Sequence, residues 1–151
     1  MEQLIIRPQT QRDCRELVHL ENEIFECDIV KLRSFQRFVT TSTVDSFVAE
    51  LDTRLVGYAT NFYRGGTRIA RIYSIAVHPS CRRIGLGNKL LRVCEEAATE
   101  RGSSFLRLEV KIDNPNAIAF YERHGYAQYG LRPRYYEDGT DALLMRKELA
   151  N

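Results

Sequence analysis

The spacing of apolar and polar positions changes repeatedly along the chain, and each change marks an element. Gln3 to Arg7 is an apolar run that predicts a first strand, ended by Pro8. Thr10 or Asp13 is placed to cap a helix whose inner face carries Leu17, Leu20, Ile24 and Phe25. Lys31 to Val39 repeats the helical period, with Leu32, Phe35, Phe38 and Val39 on one side. Ser46 to Leu51 and Leu55 to Tyr63 read as a hairpin around Asp52-Thr53-Arg54. Gly65-Gly66 then turns the chain into a long strand, Arg68 to Val77, which Pro79 stops. Leu86, Leu90, Cys94, Ala97 and Ala98 recur at helical spacing, and Arg101-Gly102 closes that helix. Phe105 to Ile112 predicts a fifth strand. Asn114 and Pro115 open another helix that ends at Gly125, and Tyr126 to Leu131 and Ala142 to Leu149 give two last strands. The order βααβββαβαββ predicts an α/β fold. Four strands form an antiparallel block, and the fifth lies parallel to the fourth across the intervening helix.

Between the fourth strand and its helix sits Arg82-Arg83-Ile84-Gly85-Leu86-Gly87-Asn88. Glycines let a backbone approach a ligand, free N–H groups and the positive helix end favour phosphate, and two rim arginines add charged donors. A pyrophosphate cradle is the reading, with a tight strand-to-helix turn and solvated arginines as the plainer alternative. There is no GxxxxGK[ST] element, and Leu90 breaks the G-x-G-x-x-G dinucleotide fingerprint.

The fifth strand, Leu106 to Ile112, alternates: Leu106, Leu108, Val110 and Ile112 face one way, and Arg107, Glu109 and Lys111 the other. A strand flanked by helices is ordinarily apolar on both faces, so the charged face either pairs with neighbouring charges or opens onto a cleft. On the following helix Ile118 and Tyr121 share a face, which sets Tyr121 as a packing residue with its hydroxyl at a pocket edge.

These motifs together resemble the GNAT superfamily of acyl-CoA-dependent N-acyltransferases. Arg82, Gly85 and Gly87 match its [R/Q]-x-x-G-x-[G/A] signature. Leu108-Glu109-Val110, then Asn114, Ala117-Ile118, Tyr121 and Gly125-Tyr126, match members close to the ribosomal-protein alanine N-acetyltransferases. The resemblance covers Leu55 to Leu149 well and the first forty-odd residues loosely. It implies a mixed central sheet flanked by helices, with a cleft between parallel strands 4 and 5, in a single N-acetyltransferase domain over residues 1–151. It implies acetyl-CoA as acyl-donor substrate. Main-chain groups of Ile75, Ala76 and Val77 would meet its pantetheine arm, as an added strand does at an open sheet edge. Arg82 or Arg83, with the amides of Gly85, Leu86, Gly87 and Asn88, would hold the pyrophosphate, and Asn114 and Tyr121 would also touch the donor. Glu109 stands at the position of the general base and Tyr121 at that of the general acid for the leaving thiolate. Tyr135-Tyr136 correspond to a paired tyrosine beside the acceptor's amino end, with packing on the sheet as the competing role. The implied acceptor is a protein or peptide N-terminal amine. A small amine, a lysine side chain or a non-catalytic acyl-CoA-binding regulator are the alternatives, and both a monomer and a homodimer are compatible.

The chemistry is consistent with those roles. Only a neutral amine attacks a thioester, yet an α-amine titrates near 8 and a lysine near 10.4. A carboxylate of ordinary pKa near 4.3 is a weak base at pH 7, so Glu109 needs burial or a relaying water. No metal and no nucleophilic cysteine is called for. Asp138 and Asp141 could complement a cationic acceptor, and turn chemistry also places acids there. His78 and His124 read as bystanders.

Composition narrows the classes further. A chain of 151 residues is one domain, long enough to bury about two-thirds of its unfolded surface. Its net charge of +2 is too small to argue for a nucleic-acid partner. Cys14, Cys27, Cys81 and Cys94 form no CxxC pair and have no zinc spacing, so four reduced thiols in a cytoplasmic protein are expected, with Cys81 exposed in the turn. No apolar run approaches the roughly 20 residues of a membrane span, and the N-terminus carries no signal-peptide pattern.

Overall fold

The computed structural model describes residues 3–149; Met1, Glu2, Ala150 and Asn151 lie outside the described residues. Among the described residues seven strands form one sheet: β1 (Leu4–Pro8), β2 (Val44–Leu51), β3 (Arg54–Tyr63), β4 (Ile69–Val77), β5 (Phe105–Lys111), β6 (Ala127–Arg132) and β7 (Ala142–Glu148). Four α-helices cover it: α1 (Cys14–Ile24), α2 (Leu32–Thr40), α3 (Leu86–Glu100) and α4 (Pro115–Arg123). The strand order is β1-β2-β3-β4-β5-β7-β6, antiparallel throughout except for the parallel pair β4–β5. The element order and the parallel pair agree with the sequence expectation.

Two apolar cores flank the sheet. Leu86, Leu90 and Cys94 of α3 pack with Ile72, Leu106 and Leu108, and the inner side of α4 closes over that cluster. Leu17 and Leu20 of α1 with Phe35 and Phe38 of α2 pack against Val48, Leu55 and Tyr58. β3 is therefore buried on both faces, which is why Leu55 to Ala59 is continuously apolar rather than alternating. Gly57 sits at its tightest point: a Cβ there would lie 2.9 Å from the Ala76 carbonyl oxygen and 3.2 Å from both Leu86 and Leu90.

The feature that positions the site is where β4 and β5 part. They pair only at Ile69↔Phe105, Ala70↔Leu106 and Arg71↔Arg107. Immediately afterwards the β3–β4 register shifts, with Asn61 opposite Ile72 but Thr60 opposite Ser74, so Tyr73 is an extra, bulged residue. A bulge bends its strand and raises the local twist. Its position accounts for β4 turning away from β5, whose other edge stays paired to β7 along its length.

Two local expectations change. Pro8 does not end β1 but stays in it opposite Phe47, which an edge strand permits. Cys81 is not exposed: the link after β4 is a 3-10 helix, Pro79–Ile84, that turns this thiol inward to 3% exposure. Cys14 and Cys94 are buried too, and Cys27 alone of the four is half-exposed.

Two outcomes follow. Gly57→Ala should lower stability by roughly 2 kcal/mol through overpacking against backbone that cannot retreat, seen as a fall in Tm of about 4–8 °C. An unchanged Tm would contradict the packing described. A native thiol titration with an aromatic disulfide should show one fast cysteine, abolished by Cys27→Ser, and three that react only on unfolding.

Candidate active site

Two cavities adjoin the gap, and β4 runs from one to the other. The first, about 310 Å³, is lined by Arg71, Tyr73 and Ser74 of β4, Glu109 of β5, and Tyr135 and Tyr136 of the β6–β7 loop. The second, about 450 Å³, is lined by Ile75, Ala76 and Val77, with Arg82, Asn114 and Tyr121. Both volumes lie in the range of small-molecule sites.

In the second cavity β4 presents an unpaired edge from Ile72 onward, and its main-chain groups there are without a strand partner on the β5 side. Gly85, at φ +78°, is in the left-handed region that glycine adopts without strain, and this sets the angle at which α3 begins. Among the described residues no side chain caps that helix end, so its first amides are left for solvent or a ligand. Gly87 has a different role: a Cβ there would reach only van der Waals contact, 3.5 Å from the Phe120 ring. Arg82 and Gly87 line this cavity. Gly85 and Asn88 border a neighbouring groove with Leu4, Ile6 and Lys89, Arg83 is exposed, and Leu86 is fully buried in the core. For Gly85, Leu86 and Asn88, main-chain groups are what the site can use. Asn114 caps α4 by accepting from the Ala117 N–H at 3.1 Å, which leaves its amide NH₂ available at the cavity wall.

Tyr121 projects from α4 into the same cavity, its ring edge-on to Phe120 at 5.2 Å and Tyr126 at 5.7 Å. Its hydroxyl has no hydrogen-bond partner among the described residues. Burial, with Cys94 nearby, holds the phenol well above its ordinary pKa, so it stays protonated at any physiological pH.

In the first cavity Glu109 is the central group, its side chain only 7% exposed. Oε2 accepts from Arg71 Nε and Oε1 from Arg107, each at 3.0 Å. Both sequence readings of this charged face therefore hold: the carboxylate is ion-paired, and the face opens onto a cavity. Arg71 also donates to the Tyr135 hydroxyl at 2.9 Å. Tyr136 stacks edge-on with Tyr135 at 5.0 Å, and burial, followed by the fields of Glu109 and Tyr135, raises its pKa. Tyr135 and Tyr136 are thus at the cavity rather than packed away on the sheet.

Sequence reading missed Arg71 and Glu137, and placed Asp28 only within a charged loop between the first two helices (Glu26, Asp28, Lys31, Arg33) that could wall one side of a cleft, as it does. Arg71 was hidden in an apolar strand, where a guanidinium between Ala70 and Ile72 is itself a signal that a charged partner lies within reach. Asp28 and Glu137 close the cavity from above: the Asp28 N–H donates to Glu137 Oε2 at 3.3 Å and the Glu137 N–H to Asp28 Oδ1 at 3.2 Å. That clasp ties the α1–α2 loop to the β6–β7 loop, and nothing in either loop's sequence announces it. Asp138 and Asp141 are absorbed by turn chemistry instead: Asp138 accepts from Lys111 and the Thr140 N–H, each at 2.9 Å, and Asp141 from the Arg134 N–H at 2.9 Å. His78 caps the 3-10 helix and meets Glu23, and His124 bonds the Phe120 carbonyl, so neither enters the site.

Residues 11–126 match the family model described as the acetyltransferase (GNAT) family. The chain is 34% identical over 149 residues to an uncharacterised N-acetyltransferase of Methanocaldococcus jannaschii, covering 98% of this chain and 94% of that one. It is 32% identical to the N-alpha-acetyltransferase RimI of Mycobacterium tuberculosis, with 97% and 94% covered. Among solved structures, the ribosomal-protein-S18-alanine N-acetyltransferase from Escherichia coli superposes with a TM-score of 0.87 at 26% identity, over 99% of this chain and 96% of the other. With its parted parallel strands, uncapped α3 and these relatives, the chain belongs to the GNAT family of acetyltransferases.

Proposed function

We propose that this protein transfers the acetyl group of acetyl-CoA to the α-amino group of a protein or peptide N-terminus, by direct attack on the thioester. The observation that carries this reading is the end-to-end arrangement of the two cavities along β4, with Glu109 in one and Tyr121 in the other. A donor lying along Ile75 to Val77 would bring its thioester to the junction, where an amine from the first cavity can reach it. The names of the relatives, an N-alpha-acetyltransferase and a ribosomal-protein alanine acetyltransferase, support the acceptor class.

The donor fits the residues present. The open β4 edge offers main-chain partners to the amides of pantetheine, Arg82 and the α3 amides suit a diphosphate, and the Asn114 amide adds a polar contact. In the acceptor cavity each Glu109 oxygen has spent one acceptor direction on an arginine and keeps another. Glu109 can therefore take the proton of the attacking nitrogen through a bridging water. Tyr121 donates to the sulfur as its negative charge builds. Because burial holds the phenol's pKa above that of a thiol, complete proton transfer is uphill, and the hydrogen bond to the developing thiolate is the larger contribution.

Tyr121→Phe should lower kcat at least tenfold with little change in acetyl-CoA affinity; an unchanged kcat would remove Tyr121 from the mechanism. Glu109→Gln should lower kcat by a similar factor and also lower Tm, since Arg71 and Arg107 lose the charge between them. Acceptor class is tested by following CoA release with N-terminal peptides, free lysine and spermidine. Turnover confined to peptides is the expected result, and turnover confined to lysine or spermidine would overturn the α-amine assignment.

A further inference from the structure

Behind the acceptor cavity runs a second hydrogen-bond chain, buried except where it meets the cavity, that the mechanism so far does not use. Glu21, on α1, is 1% exposed, yet it is a carboxyl group in an apolar core. Its Oε2 accepts from the Val30 N–H at 2.8 Å and its Oε1 from the Tyr58 hydroxyl at 2.6 Å. The Tyr58 oxygen lies 3.0 Å from Ser74 Oγ, and Ser74 lines the acceptor cavity beside Arg71 and Tyr73. Direction follows from counting protons. Tyr58 has one, given to Glu21, so Ser74 must donate to Tyr58. The Ser74 oxygen is then left with its lone pairs as the group it shows to the cavity.

We propose that Ser74, Tyr58 and Glu21 form a proton relay that accepts the first proton of the incoming ammonium, with Ser74 as the catalytic contact and Glu21 as the terminal acceptor. The proposal rests on the amine-acetylation reading above and deepens it. An α-ammonium must lose one proton before it attacks the thioester and another afterwards, and a single carboxylate takes up only one of them. In the first step an ammonium N–H bond breaks as an O–H bond forms at Ser74. The Ser74 proton moves to Tyr58, and the Tyr58 proton moves to Glu21 Oε1, which becomes the neutral acid. The second proton leaves after attack, through Glu109. When product departs, Glu21 returns its proton to cavity water by the same route.

Two further observations agree. Desolvation pushes the Glu21 pKa above the ordinary carboxylate value despite the bonds from Tyr58 and Val30, which suits a group that must hold a proton transiently. Tyr58 is fully buried and its pKa is raised well above the ordinary phenol value, so it hands protons on without resting as a phenolate. The charge of Glu21 is also felt by Tyr73, on the bulge beside Ser74, where Arg71 opposes it.

The test is kcat/KM for an N-terminal peptide between pH 6.5 and 9.5, in the wild type, Tyr58→Phe, Ser74→Ala and Ser74→Thr. At pH 7 only about a tenth of an amine with a pKa near 8 is neutral. Tyr58→Phe and Ser74→Ala should therefore lose about tenfold at pH 7, and the deficit should vanish as pH rises past the amine's pKa. Ser74→Thr, which keeps the hydroxyl, should restore activity, and acetyl-CoA affinity should not move in any variant. Ser74→Ala removes no core packing, so it gives the same readout should Tyr58→Phe fail to fold. Wild-type rates in Tyr58→Phe and Ser74→Ala at pH 7, or a deficit of equal size at every pH, would overturn the relay alone. If the wild type turned over lysine or spermidine but no peptide, the α-amine assignment would fall, and the relay would be judged by the same pH pattern on that amine. No turnover of any amine would overturn both.

Discussion

The site depends on one carboxylate held between two like charges. Arg71 and Arg107 stand opposite each other at the last paired step of β4 and β5, an arrangement that repels when nothing intervenes. Glu109, two residues further along β5, accepts from both. It neutralises the pair at the apex of the gap, so the strands can be fastened at that point and free beyond it. An ion pair this little exposed is costly to break from one side, which ties the geometry of the cleft to the same group that lines the first cavity.

Everything downstream of that apex follows from the parting of the strands. The bulge at Tyr73 carries β4 away from β5 and shifts the faces of the strand by one residue. Arg71, Tyr73 and Ser74 therefore serve one cavity while Ile75 to Val77 serve the next. The unpaired edge of β4 cannot be left dry, because main-chain groups without partners are costly; a chain of amides laid along it would satisfy them. Helix α3 starts where that chain would end, and α4 brings a protonated phenol to the gap between.

Much of this was legible in the sequence. The β-branched and aliphatic run of β4, the glycines before α3 and the alternating β5 gave the element order, the parallel pair and the face on which Glu109 lies. These are local signals, with periods of two and 3.6 residues and turn chemistry at fixed offsets. What stayed hidden is non-local. The Tyr73 bulge depends on register against β3, and the partnership of Arg71 with Glu109 spans 38 residues. The hydrogen-bond chain from Glu21 to Tyr58 to Ser74 joins three elements that no spacing rule connects. The misreading of Cys81 has a local cause: a 3-10 helix after Pro79, in place of an open turn, rotates that residue into the core.

Donor and acceptor, as proposed, occupy adjoining cavities that meet at the strand gap. The most direct test is a calorimetric titration with a conjugate in which CoA sulfur is joined through an acetyl bridge to a peptide's N-terminal nitrogen. Spanning both cavities, the conjugate should bind at least a hundredfold more tightly than acetyl-CoA, since the second half binds without a further loss of translational freedom. Affinity no better than that of acetyl-CoA alone would contradict the claim.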